Sequence, residues 1–377
     1  MSKLYLPYAS QFDLMNENLA KIAATLGSDT DISTWEGIQK AVRIGVAPSL
    51  IPAGTRLHVN HKVFGNVAYD VVAHDYFKSA HDKNAHTMTL LCHDIDTVMQ
   101  FDAPEAFFYA DSDLPAGIYN FTLATSYENW TVGTYSFDVP EGLPKGGQLC
   151  ISGNSKEPLP SMSVQAYVNQ KSTTIALSSE ITEGNVGTSL GTFGVELNHS
   201  QRVSYGSNNY KESAIRQYLN SSLGEGSVWS PQTKFDRPPS WNTTHKGFLT
   251  YLDDDFLSVV GEVVVPCAAN SIYESPDSTT AKGEKYNVTD KFYLASQREI
   301  FGTTSDTVAD DSVLFPYYES ATNADRVKYR DGTTTRWWLR SAQYQRSHYE
   351  RVIYLDGSLY NYCANESLGV VPACTIV

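Results

Sequence analysis

Apolar positions first recur at helical spacing. Phe12, Leu14, Met15, Leu19, Ile22, Ala23 and Leu26 predict an amphipathic helix over Ser10–Leu26, capped by Ser10 and stopped at Gly27. Trp35, Ile38, Ala41 and Val42 predict a second helix from Ile32 or Ser33 to Ile44, closed by Gly45 and Pro48. Such helices either dock on a partner or pack on their own domain, and the pattern alone leaves both open. From Ile51 the period changes. Leu57, Val59 and Val63, then Ala68–Ala73, then Met88–Cys92, read as strands.

Between residues 103 and 181 the runs Thr134–Val139 and Ser163–Tyr167 alternate with period two. Pro140, Gly142, Pro144, Gly146 and Gly147 punctuate them, so an all-β module of two antiparallel sheets is expected. Beyond Gly191 the helical period returns. Ala214, Ile215, Tyr218 and Leu219 predict a helix within Asn208–Asn220, and Leu249, Leu252, Phe256, Leu257 and Val260 predict one over Phe248–Val260. Val263–Val265 and Lys291–Ala295 read as short strands, Ser296–Phe301 as a helical turn, and Thr303–Asp331 as a long polar loop.

The last stretch, Arg336–Val377, interleaves two kinds of residue. Trp337, Trp338, Leu339, Val352, Ile353, Leu355, Val370, Val371 and Ile376 have the character of a core. Between them, Gln343–Glu350 and Tyr360–Ser367 are dense in Tyr, Asn, Ser, His and Arg. Asp356-Gly357 signals a tight turn joining the two runs. Arg340, set among apolar residues, is expected to be the buried partner of a carboxylate.

Composition narrows the function classes. A net charge of -14 argues against a phosphate-backbone binder, so no nucleic acid is expected. The five cysteines are scattered, odd in number and without a C-x-x-C pair, which fits free thiols in a chain made in a reducing cytoplasm. The N-terminus lacks the basic-then-apolar layout of a signal peptide, and no apolar run approaches the ~20 residues of a membrane span, so no membrane insertion is expected. His58, His61, His74, His81, His86 and His93 match no ligand spacing, and Asp253–Asp255 lacks that of an EF-hand. With no G-x-S-x-G and no phosphate loop either, neither a metal, a cofactor nor an enzymatic activity is expected.

Five segments carry a family likeness: Trp337-Trp-Leu-Arg-Ser341, Asp356-Gly357, Gly369-Val-Val-Pro-Ala373, Asn209–Asn220 and Leu294–Ile300. Together they resemble the C-type lectin-like domain of bacterial and phage proteins related to the formylglycine-generating enzyme fold. More narrowly, the chain is similar to variable proteins of diversity-generating retroelements, among them the major tropism determinant of a phage. The resemblance implies an α+β chain in three parts. Residues 1–49 would be a short helical segment for assembly or docking. Residues 50–102 and 191–377 would form a discontinuous C-type lectin-like domain whose variable region is 336–377. Residues 103–190 would be an inserted β-sandwich-like module.

Such proteins sit at the tip of a phage tail fibre, usually as trimers, and their retroelement rewrites adenine-containing codons. Rewritten Asn codons yield mostly Tyr, Ser, Asn, Asp, His, Gly and Cys, the types crowded into the two runs, Cys363 included. The resemblance thus implies non-catalytic binding to a bacterial surface protein or glycan, with virion tail components as further partners. A bacterial carbohydrate-binding or adhesin module without a retroelement is the alternative. Tyr344, Tyr349, Tyr360 and Tyr362 would be rigid amphipathic anchors. Arg346, His348, Glu350, Asn361, Cys363, Asn365 and Glu366 would supply the adaptable polar contacts.

Overall fold

The computed structural model describes residues 31–63, 65–124, 131–152, 163–169, 171–178, 181–193, 197–269, 284–344 and 346–377. The helix expected over Ser10–Leu26 lies outside them. Sheet dominates and helices are few, compatible with an α+β or a mostly-β class.

Two five-stranded sheets share the main core. The first contains β1 (Arg56–His61), β2 (Gly65–His74), β3 (Met88–Cys92), β5 (Phe292–Tyr293) and β10 (Ala373–Ile376) in the order β1-β2-β3-β10-β5, all antiparallel. The second contains β4 (Thr97–Gln100), β6 (Trp337–Ala342), β7 (Tyr349–Ile353), β8 (Leu359–Cys363) and β9 (Ser367–Val370) in the order β8-β7-β6-β9-β4. Here β6 and β9 run parallel, with Trp337 opposite Gly369. The C-terminal strand β10 inserts between β3 and β5, so the two ends of the domain close on each other in one sheet.

Five helices are used below: α1 (Trp35–Arg43), α2 (Leu197–Tyr205), α3 (Ala214–Leu219), α4 (Asp254–Val259) and α5 (Gln297–Phe301). Thr34 caps α1, its hydroxyl accepting from the Gly37 amide. Ile38, Ala41 and Val42 of α1 are buried in the main core, and Trp35 packs on Phe256 of α4 with ring centroids 4.7 Å apart. This helix is therefore part of the main domain rather than a free-standing docking element. The apolar stripe that predicted it is covered by its own chain.

The helix expected over Phe248–Val260 is broken in two. A 3-10 turn at Phe248–Tyr251 is followed by α4, with extended backbone at Leu252 and Asp253. Leu252 makes a bridge to His61, and the Lys62 amide donates to the Tyr251 carbonyl. Pairing with β1 thus takes the backbone groups a continuous helix would have used.

The module between the two halves has its own core. Tyr119, Phe121, Phe137 and Val139 from one sheet meet Leu149, Ile151, Val164 and Ile175 from another. Strands Phe108–Tyr109, Gln148–Ser152, Ser163–Val168 and Lys171–Ala176 form an antiparallel sheet. The other sheet departs from the expected antiparallel pairing. Thr188–Phe193 lies parallel to Gly117–Leu123, while Gly133–Val139 pairs antiparallel on its far side. Val203 of α2 completes this core, so α2 links the module to the main domain.

Candidate functional site

The site is the hairpin β7–β8 and the segment that enters it. Asp356-Gly357 makes the turn, as expected. The Asp356 carboxylate accepts from the Ser358 amide (3.0 Å) and hydroxyl (2.6 Å). The Tyr354 amide donates to the Ser358 carbonyl at 2.8 Å. Gly357 is required twice over: its φ is +79°, and a Cβ there would lie 1.7 Å from the Asn323 carbonyl oxygen. The register then places Val352 opposite Tyr360 and Glu350 opposite Tyr362.

The turn end of the hairpin carries a cluster of three tyrosines and one arginine. Tyr354 and Tyr360 have ring centroids 5.4 Å apart, and Tyr360 and Tyr362 5.7 Å apart. The Arg336 guanidinium lies 4.6 Å from the Tyr354 ring and 5.0 Å from that of Tyr362, and it donates to the Tyr354 hydroxyl at 3.1 Å. Tyr360 is 53% exposed, so the cluster faces solvent while its members hold one another in place. Asn361, Cys363 and Asn365 are partly exposed and Glu366 is exposed. Asn365 is tied down through its main chain, its amide donating to Tyr205 and its carbonyl accepting from the Gln100 side chain.

At the other end of the hairpin, Tyr344 (42%) and Arg346 are exposed and Tyr349 is partly so. Asp306 organises this end. Its carboxylate accepts from Arg351 and Gln343, each at 3.0 Å, and its carbonyl accepts from the Tyr344 amide.

His348 and Glu350 do not belong to the surface. Both are fully buried, His348 beneath α2. Tyr205 of α2 stacks on His348 with ring centroids 4.7 Å apart. Asn208 donates through its side chain to the Arg346 and Tyr349 carbonyls (2.6 and 2.7 Å), and the Gln201 side chain accepts from the Ser347 amide at 2.9 Å. The physical reason is cover from a distant segment. Alternation along β7 assigns a face, but α2 closes over that face. Burial, with help from the nearby Arg346 charge, pulls His348 down to about 3 and so keeps the ring neutral.

Burial also pushes the Glu350 carboxyl well above its ordinary range, against a weaker pull from the charge and the main-chain amide of Arg351. A raised value means the folded state keeps a proton that the unfolded chain has already released. Stability from this group is therefore present below pH ~4.5 and is lost as the pH rises. Glu350→Gln is expected to melt close to the wild type at pH 4 and increasingly above it toward pH 8, as read by thermal unfolding across that range. A constant gap, or one that closes with rising pH, contradicts the buried neutral carboxyl.

Three residues of the site were not singled out by the sequence. Tyr354 was readable in principle: a turn centred on Asp356-Gly357 sets it opposite Ser358, beside Tyr360. Arg336 and Asp306 join only through tertiary contact.

The six N-terminal histidines do not form a centre. His86 pairs with Asp75, His93 with Asp70 and His81 with Glu262, His74 bonds the Ile51 carbonyl, and His61 is buried beside Asp96. Among the described residues no group of three or more His, Cys, Asp or Glu is placed to hold a metal ion. None of the five cysteines is joined in a disulfide among the described residues, and of the five Cys363 alone is partly exposed.

A search of the curated proteins and of the solved structures finds no match to the chain. Residues 172–377 match the model of a family described as a domain of unknown function, DUF6273. That span takes in α2, the hairpin and the whole C-terminal frame, more than half of the sequence, and the chain accordingly belongs to the DUF6273 family.

Proposed function

We propose that this protein is a non-catalytic ligand binder whose C-terminal half has a C-type lectin-like fold. Its hairpin β7–β8 carries a surface diversified by a retroelement, and the chain acts at the tip of a phage tail, where it binds a bacterial surface molecule. The observation that carries the reading is the Tyr354–Tyr360–Tyr362–Arg336 cluster, solvent-facing and mutually braced, set on strands whose core neighbours Trp337, Trp338, Val352 and Ile353 are fully buried. Tyrosine on a rigid support gives large contact area at low entropic cost. Separation of frame from display lets the displayed side chains change without loss of the fold. If three copies assemble, weak single sites gain strength by avidity.

Two measurements test this. The flanking DNA should encode a reverse transcriptase and hold a near-copy of the 3′ end that differs at adenines. Binding of the labelled protein to a panel of intact bacteria should fall by about tenfold or more in Tyr360→Ala and Tyr362→Ala, the range of interface anchors. The unfolding free energy of Tyr360→Ala, the more exposed of the two, should stay within about 0.5 kcal/mol of the wild type, as for surface positions. Binding that is untouched by both substitutions rejects this surface.

A further inference from the structure

The two edges of the second sheet are treated differently. At one edge, β4 is covered: the Trp241 indole donates to the Gln100 carbonyl at 3.2 Å, and Ser240 bonds the Gln100 side chain. At the other edge, β8 has no partner strand on its outer side among the described residues. The hydrogen bonds flanking the hairpin settle which backbone groups face outward. The Tyr354 amide donates to Ser358 and the Ala364 amide to His348. Bonded pairs alternate along an antiparallel ladder, so Tyr360 and Tyr362 spend their amides and carbonyls on β7. Leu359 and Asn361 therefore point theirs away from the sheet, and no hydrogen bond engages them within the described chain.

Natural edges are usually blunted by charge, proline or a bulge. The edge Leu359-Tyr-Asn-Tyr-Cys363 contains no charged residue and no proline, and its register with β7 is unbroken. We infer that the ligand of this hairpin is an extended polypeptide segment that adds to β8 as a sixth strand, with Leu359 and Asn361 supplying the main-chain bonds. Free donors and acceptors recur at about 6.8 Å, every second residue of a strand, which another extended backbone matches and a sugar ring does not. The inference rests on the reading of the hairpin as the binding surface and deepens it. Backbone pairing does not depend on side-chain identity, so it retains a basal affinity while the neighbouring tyrosines are replaced. Side chains alternate about the added strand, leaving Tyr360 and Tyr362 to select its sequence.

The test uses the full chain and peptides selected on it from a library of random linear 12-mers. Amide hydrogen exchange of the wild type is followed with and without a selected peptide, and affinities are compared for Asn361→Pro and Asn361→Ala. Proline removes the outward amide while sparing the bonds to β7. The expected result is slowed exchange at Leu359 and Asn361 on binding. Asn361→Pro is expected to weaken binding by about tenfold, and Asn361→Ala by less than about threefold. Exchange at Leu359 and Asn361 that is unchanged by bound peptide overturns the inference, and it does so without relying on the folding of any variant. Equal losses in the two Asn361 variants overturn it too. In either case a loss in Tyr360→Ala leaves the surface reading standing, whereas indifference of Tyr360→Ala as well removes both. Ligands found only on a glycan array, with no peptide selected, also overturn it.

Discussion

Arg340→Met is expected to lower the unfolding free energy by about 3–5 kcal/mol, the range for breaking a buried ion pair from one side. Arg340 and Glu299 are both fully buried, and the guanidinium meets the carboxylate through two nitrogens. The same guanidinium donates to the carbonyls of Pro266 and Leu294 and to the Ser312 hydroxyl. One side chain on β6 thus joins the residue that follows β5, the N-terminal turn of α5, the strand Val263–Ala269 and the loop after α5. Removing it strands a carboxylate and two carbonyls in the interior, each at a desolvation cost. Glu299 has a second duty, since Ser296 and Glu299 form the capping box of α5. Glu299→Leu is therefore expected to destabilise by a similar amount. The double variant should recover part of the loss and no more, because Pro266 and Leu294 stay unpaired. Urea unfolding of the four species gives the coupling energy directly. An additive double variant contradicts the pairing.

Trp338→Ala is the second large effect, about 3–5 kcal/mol for removal of a fully buried indole. Trp338 packs on Phe101, with ring centroids 5.6 Å apart, and its indole donates to the Met99 carbonyl at 3.0 Å. It thereby ties β6 to β4, two strands apart across β9. Trp338→Phe keeps much of the apolar contact and orphans only the Met99 carbonyl, so it should cost about 1–3 kcal/mol. Denaturant midpoints at constant m-value check the order. A Trp338→Ala loss as small as that of Tyr360→Ala defeats the division into a fixed frame and a replaceable surface, on which the proposed function depends.

Much of the frame was legible in the chain. Runs of contiguous apolar residues around Trp337-Trp338 and Val370-Val371 stand out because strands covered on both faces lose the alternation of half-exposed ones. Arg340 inside such a run has to find a buried acceptor, and Ser296 with Glu299 three residues on announces a helix start. The Asp356-Gly357 turn followed from local chemistry alone. Of the eleven expected surface residues, Tyr344, Arg346, Tyr349, Tyr360, Asn361, Tyr362, Cys363, Asn365 and Glu366 are at least partly exposed. His348 and Glu350 are not, and polar character could not reveal it. A histidine and a glutamate in a polar run look solvated until distant segments close over them, as Tyr205 of α2 does over His348.

The sequence by itself determined what depends on neighbours along the chain: strand periods, the hairpin turn and the α5 cap. Only the tertiary structure decided what depends on segments far apart. It put α1 into the main core, broke the helix at Leu252 by pairing it with His61, set Thr188–Phe193 parallel to its neighbour, and buried His348 and Glu350. It also brought Arg336 onto Tyr354 and Tyr362, and it covered one edge of the second sheet while leaving β8 without a partner strand among the described residues. The physical reason is the same in each case. A local pattern records which face of an element is apolar, whereas the segment that covers that face, or pairs with its edge, is chosen by packing across the whole chain.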